Sequence, residues 1–197
     1  MSMVITCARS VLATRPVRLS RADLAAAQGR FVPDVLGYGL RVLFCGINPG
    51  LWSAAVGHHF ARPGNRFWKA LHASGFTDRE WSPFDDQDLP TVGLGITNLV
   101  DRTTASAAEL TSDELRTGRG ALEAKIARFR PDIVAILGIT AYRTGFDNRK
   151  AELGPQNDAL AESAVWVLPN PSGLNAHHQL DDLIRRFADL RATSRMR

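Results

Sequence analysis

Val42-Leu43-Phe44-Cys45-Gly46-Ile47-Asn48-Pro49-Gly50 decides how this chain is read. Its first half is an apolar run of strand length, buried on both faces. It ends abruptly in a stiff, glycine-bounded turn with one amide side chain at its centre. The pattern recurs more than a hundred residues later, where Val165-Trp166-Val167-Leu168 runs into Pro169-Asn170-Pro171-Ser172-Gly173-Leu174-Asn175. Two buried strands, each ending in an Asn-Pro loop, predict two rigid loops converging at one end of a sheet. Open α/β folds keep their ligands there.

The rest of the chain fits around these strands. Ser20 caps a short helix, with Asp23 placed to reach back toward it. A helix is predicted over Asn65–Ser74, with Gly75 as its stop. A strand lies within Thr91–Val100, and Asp85, Asp86 and Asp88 sit in the loop before it. Ser112 is read as the cap of a long helix with Leu115, Leu122, Ile126 and Phe129 on one stripe, ended by Pro131. Asp132–Gly138 is a third buried strand, followed by a short helix near Thr140–Phe146. A fourth strand covers Ala164–Leu168. The closing helix, His177–Ala192, carries a core stripe at Leu180, Leu183, Ile184, Phe187 and Leu190. Strands separated by helices imply parallel pairing through right-handed crossovers. The expected fold is a three-layer α/β/α sandwich around a mainly parallel sheet of four to five strands. The expected organisation is an N-terminal extension over 1–30, one α/β domain over 31–192, and a tail over 193–197.

The 197 residues are 45% hydrophobic and 22% charged, enough for one domain with a sizeable core. No apolar run approaches the roughly 20 residues that cross a bilayer, and the N-terminus makes a poor signal peptide. The expectation is a cytoplasmic protein without a membrane partner, with a monomer as the default. With two cysteines, Cys7 and Cys45, neither a disulfide framework nor an iron–sulfur cluster is expected. Cys45 reads as a small hydrophobe in a buried strand. The net charge of +4 is concentrated at the ends: residues 1–35 carry +3 and residues 185–197 carry +4, leaving the middle near −3. That distribution neither requires nor excludes a nucleic-acid partner.

The first turn lacks the Gly-Lys-Ser/Thr ending of a phosphate loop and the spacing of a dinucleotide fingerprint. Gly46 and Gly50 permit close backbone approach, and Pro49 stiffens the peptide beside Asn48. Asn48 does not titrate near neutral pH, so it is no conventional general base. It can hold a water, anchor a base edge, or simply stabilise the turn. The histidine pairs His58-His59 and His177-His178 suggest a metal at first sight. Adjacent side chains point apart, and no carboxylate is spaced to complete a ligand set, so no metal is expected.

Gly46-Ile47-Asn48-Pro49-Gly50 together with Asn170-Pro171-Ser172-Gly173-Leu174 resembles the mismatch-specific uracil/thymine-DNA glycosylase family. Gly57-His58-His59-Phe60, Pro63-Gly64-Asn65-Arg66-Phe67-Trp68-Lys69 and Gly95-Ile96-Thr97-Asn98-Leu99-Val100-Asp101-Arg102 extend the match over roughly Phe31 to Leu190. The resemblance implies hydrolysis of the N-glycosidic bond of uracil, or a related base, flipped out of mismatched duplex DNA at G·U or G·T, with no cofactor. By the same resemblance Asn48 positions the attacking water and Phe60 stacks on the base. Ile47, Gly50 and Ser53 line the base site, Ser53 on the C5 side, where Trp52 would crowd it if turned inward. Gly173 and Leu174 wedge into the gap left by the flipped base, with Ser172 on a phosphate. Several relatives have an arginine where this chain has Ala176, which leaves Asn175 and His177 as candidates to read the opposing base. His59, Arg66, Lys69 and Arg102 are further candidate contacts to phosphate or substrate. No lysine stands in either loop, so no Schiff-base lyase chemistry is expected. The alternative is a non-catalytic α/β module binding a nucleotide or nucleic acid through the same loops. A small-molecule hydrolase lacks support, because there is no Gly-x-Ser-x-Gly elbow.

Overall fold

The computed structural model describes residues 18–194. Cys7, most of the predicted N-terminal extension and the last three residues of the tail lie outside the described residues. Five strands form one sheet: β1 (Val42–Gly46), β2 (Leu94–Asn98), β3 (Ile133–Leu137), β4 (Gly154–Leu160) and β5 (Ser163–Leu168). Their spatial order is β2-β1-β3-β5-β4. The first four neighbours pair in parallel, and β4 runs antiparallel to β5 with a bulge between Pro155 and Ala159. At the opposite margin Val35 forms a one-residue antiparallel bridge to Ile96 of β2. No described helix is long and apolar enough to cross a membrane.

Side-chain alternation along each strand divides the core between the two faces of the sheet. On one face Val42, Phe44, Ile96, Ala135 and Leu168 meet α3 (Phe67–Ala73) and α6 (Leu180–Ser194). Phe44 is fully buried and packs against Phe67, Phe76 and Phe187. On the other face Leu43, Cys45, Val134, Ile136 and Val167 meet α4 (Ser112–Phe129) and α5 (Ile139–Gly145). Gly118 brings α4 tight against the end of β2; a Cβ there would lie 2.1 Å from the Leu99 carbonyl oxygen. The result is the three-layer sandwich expected from the sequence.

Several boundaries differ from the expectation. Helix α1 (Arg21–Ala26) starts at Ser20 with the predicted capping box. Helix α4 is capped by Thr111 rather than Ser112, because Glu114 stands three residues after Thr111 and closes the reciprocal pair. Helix α3 begins at Phe67, with the Asn65 side chain accepting its N–H at 2.9 Å. Helix α6 begins at Leu180, since His177 and His178 belong to the preceding loop. The acidic stretch Asp85–Asp88 is part of a 3₁₀ segment, Pro83–Val92, rather than an open loop. A short helix α2 (Leu51–Val56) directly after the first turn was not expected.

Candidate active site

The carboxyl ends of all four parallel strands open into one cavity of about 590 Å³. The chain leaves β1 for β2 on one side and returns for β3 on the other, so this is the point where the winding reverses, the customary ligand site of such sheets. β1 and β5 flank β3, which sets their end loops about 10 Å apart at the usual strand spacing. Asn48 and Leu174 accordingly line the same cavity, along with Ile47, Gly50, Ser53 and Phe60. Ser172, Asn175 and His177 line it too, while Gly173 stands beside them with its α-carbon against the Gly64 backbone.

The Asn48 amide is held in one orientation. Its Nδ2 donates to the Arg102 carbonyl at 2.9 Å and to Thr104 Oγ1 at 2.7 Å. The Thr104 hydroxyl hydrogen is spent on the Ser106 carbonyl at 2.8 Å, so its oxygen must accept. Both amide hydrogens are therefore committed, and Oδ1 is left as an acceptor. Gly50 bridges Thr104, and Thr104 N–H donates to Pro49, which fixes the turn to the 102–106 segment.

Phe60 sits at φ 54, a left-handed conformation unusual for a bulky residue. Its neighbours fix it there. His58 N–H donates to the Ser53 carbonyl, His59 N–H to Asp86 and Ala61 N–H to Ser53 Oγ. Among the described residues the Phe60 N–H has no acceptor. Phe67 stacks on its ring, with centroids 4.2 Å apart. Asp86 is fully buried and also takes His58 Nδ1 at 2.9 Å, so the 3₁₀ segment supports the loop that presents Phe60. Ser53, 6% exposed, spends its hydroxyl oxygen on Ala61, and Trp52 is not among the cavity residues.

Asn98 escaped the sequence reading as a site residue. It ends β2 in the cavity wall, 4% exposed, and its side-chain amide has no hydrogen-bond partner among the described residues. Gly46 makes room for it: a Cβ there would lie 2.6 Å from Asn98 Oδ1 and 3.5 Å from the Phe60 ring. An unspent amide opening onto the cavity beside an aromatic ring is a ready partner for a heterocyclic ligand.

The second loop is a knot of short-range bonds. Ser172 N–H donates to Asn170 Oδ1, Leu174 N–H to Ser172 Oγ, and Asn175 Nδ2 to the Asn170 carbonyl. Leu174 at its tip is 70% exposed, so its side chain is not part of the packed core. Arg66 holds the knot from below. Its guanidinium donates to the carbonyls of Ser172 and His178 at 2.5 Å each and of Asn175 at 3.0 Å.

The expected cation contacts are largely redirected. Arg66 is spent on this loop, and the exposed Arg102 pairs with Glu114 at 2.7 Å. Arg102 and the Thr111 cap hold the Glu114 carboxyl down at about 2. His59 is 3% exposed and burial pushes its imidazole below the ordinary range; Nε2 meets the Pro33 carbonyl at 2.9 Å, so the ring is neutral and no phosphate contact. His178 pairs with Asp182. Burial raises the Cys45 thiol, which leaves it inert.

Residues 33–191 match the uracil DNA glycosylase superfamily. The chain belongs to this superfamily. Membership makes it a glycosylase of the hydrolase class that acts on uracil in DNA. The fold is similar to that of a candidate uracil DNA glycosylase from Methanosarcina acetivorans solved by NMR in solution. The two share a TM-score of 0.55 and 19% sequence identity, over 83% of this chain and 98% of that one.

Proposed function

We propose that this superfamily member is a monofunctional glycosylase that removes uracil from mismatched duplex DNA, G·U foremost, with thymine and modified pyrimidines as further substrates, initiating base excision repair. The observation that carries the reading is that Leu174, a large exposed hydrophobe, stands at the rim of the same cavity in which the Asn48 amide is locked.

In this reading Leu174 and Gly173 fill the gap left by an extruded nucleotide. Unstacking costs a few kcal/mol and least at a mismatch, which favours G·U and G·T sites. The base stacks on Phe60, takes the Phe60 N–H, and meets the Asn98 amide on its edge. Ile47, Gly50 and Ser53 close the remaining sides. Asn48 Oδ1 accepts a hydrogen bond from the attacking water. A neutral amide suffices if C–N cleavage runs ahead of attack, because an oxocarbenium-like sugar accepts a weakly activated nucleophile. The larger share of the acceleration then comes from donors facing the departing uracil anion, each worth roughly 10²–10³ in rate.

The test is a labelled duplex carrying G·U, incubated with protein and then cleaved with alkali. An abasic product from the wild type, lost in Asn48→Ala, is the expected result. Intact DNA, or near-normal turnover by Asn48→Ala, would remove the assignment.

A further inference from the structure

Three of the cations expected to touch phosphate are not at the site: Arg66 is spent on the second loop, Arg102 pairs with Glu114, and none of Arg66, Arg102 and Lys69 lines the cavity. The second loop, residues 169–179, contains no lysine or arginine. Yet a protein that holds a duplex over this opening must meet phosphate charge somewhere.

One residue meets the requirement. Arg62 is the single lysine or arginine among the cavity-lining residues, and no aspartate or glutamate lines the cavity among the described residues. Its side chain is exposed, and its guanidinium has no partner among the described residues. Its backbone, by contrast, is fixed. Ala61 N–H is held by Ser53 Oγ at 3.1 Å, and the Arg62 carbonyl accepts Asn65 N–H at 2.9 Å. Gly64 supports Gly173 directly, since a Cβ on Gly173 would lie 2.5 Å from the Gly64 carbonyl oxygen. A rigid turn packed against the Leu174 loop thus carries one uncommitted guanidinium at an opening otherwise short of charge.

We infer that Arg62 forms a phosphodiester-binding subsite, gripping a linkage that brackets the extruded nucleotide. This rests on the DNA-glycosylase reading of the cavity. A guanidinium forks onto two phosphate oxygens, so the contact orients the backbone as well as attracting it. It positions the strand and reads no sequence.

The experiment is equilibrium binding of wild type, Arg62→Ala and Arg62→Lys to a duplex with an uncleavable abasic analogue, over a range of salt, with G or A opposite. One phosphate contact carries a salt slope of about 0.9, roughly eightfold per decade of salt. Arg62→Ala is expected to bind about eightfold more weakly at 0.1 M salt, with the slope reduced by about 0.9 and no dependence on the opposing base. Arg62→Lys retains most of the affinity. A neutral methylphosphonate at one of the two bracketing linkages abolishes the difference between wild type and Arg62→Ala. An unchanged slope, a loss that depends on the opposing base, or no linkage coupled to Arg62 would overturn the inference. Wild type that fails to prefer the abasic duplex over an undamaged one would strike the glycosylase reading itself, and the slope comparison still reads Arg62 on either duplex.

Discussion

The Arg66 guanidinium lies 2.5 Å from the Ser172 carbonyl oxygen, joining residues 106 positions apart in the chain. Through it the N-terminus of α3 carries the loop that ends in Leu174. Arg66→Ala is expected to cost about 2–4 kcal/mol, since a hydrogen bond to a charged group contributes roughly 1.5–3 kcal/mol. Thermal unfolding checks the loss. Turnover on G·U duplex should fall further than Tm alone explains, while free uracil still binds.

Leu174→Ala removes the exposed tip without touching the core. The free energy of unfolding should stay within about 0.5 kcal/mol of wild type, as for surface substitutions generally. Single-turnover cleavage of G·U duplex should fall roughly tenfold or more if a wedge worth a few kcal/mol is lost. A 2-aminopurine reporter beside the lesion would register the missing insertion.

Thr104→Val deletes one acceptor of Asn48 Nδ2 while keeping the shape of the side chain. On the proposed mechanism the amide is then free to turn its oxygen away from the attacking water. An expected loss of about tenfold in kcat with KM unchanged separates this from a binding defect.

Gly118→Ala places a methyl group where the Leu99 carbonyl oxygen stands. Helix α4 must shift, at a cost of about 1–3 kcal/mol or more. Urea unfolding would measure it. An unchanged midpoint would mean that α4 and β2 are not packed this closely.

His59 is buried in its neutral form, so its folded pKa lies below the unfolded value of 6.5. Between those values the unfolded chain binds more protons, and stability rises with pH. The stabilisation is in place above pH 6.5 and is lost as pH falls through the window beneath it, with a slope of at most about 1.4 kcal/mol per pH unit. Unfolding curves for wild type and His59→Gln between pH 7 and 5 should converge on acidification.

The three inner strands and their order of layers were legible because two-sided burial writes itself as unbroken apolar runs. β4 was not, since Gly154-Pro155-Gln156-Asn157-Asp158 is polar, irregular and mostly exposed, as an antiparallel edge permits. Helix α2 is only six residues long, too short for a helical periodicity to register, and follows directly on the Asn-Pro-Gly turn. Asn48, Phe60 and Leu174 were placed together by motif and strand order. Asn98, Asp86 and the true work of Arg66 could not be. Their importance lies in contacts made or left unmade across long stretches of chain, which no local spacing records.

Both margins of the sheet are spoiled as templates. On one side the bulged, proline-bearing β4 presents an uneven ladder, and on the other the single bridge from Val35 occupies β2. Edge-to-edge joining of two copies is thereby discouraged. Neither margin therefore offers a flat, unbroken ladder onto which another strand could add.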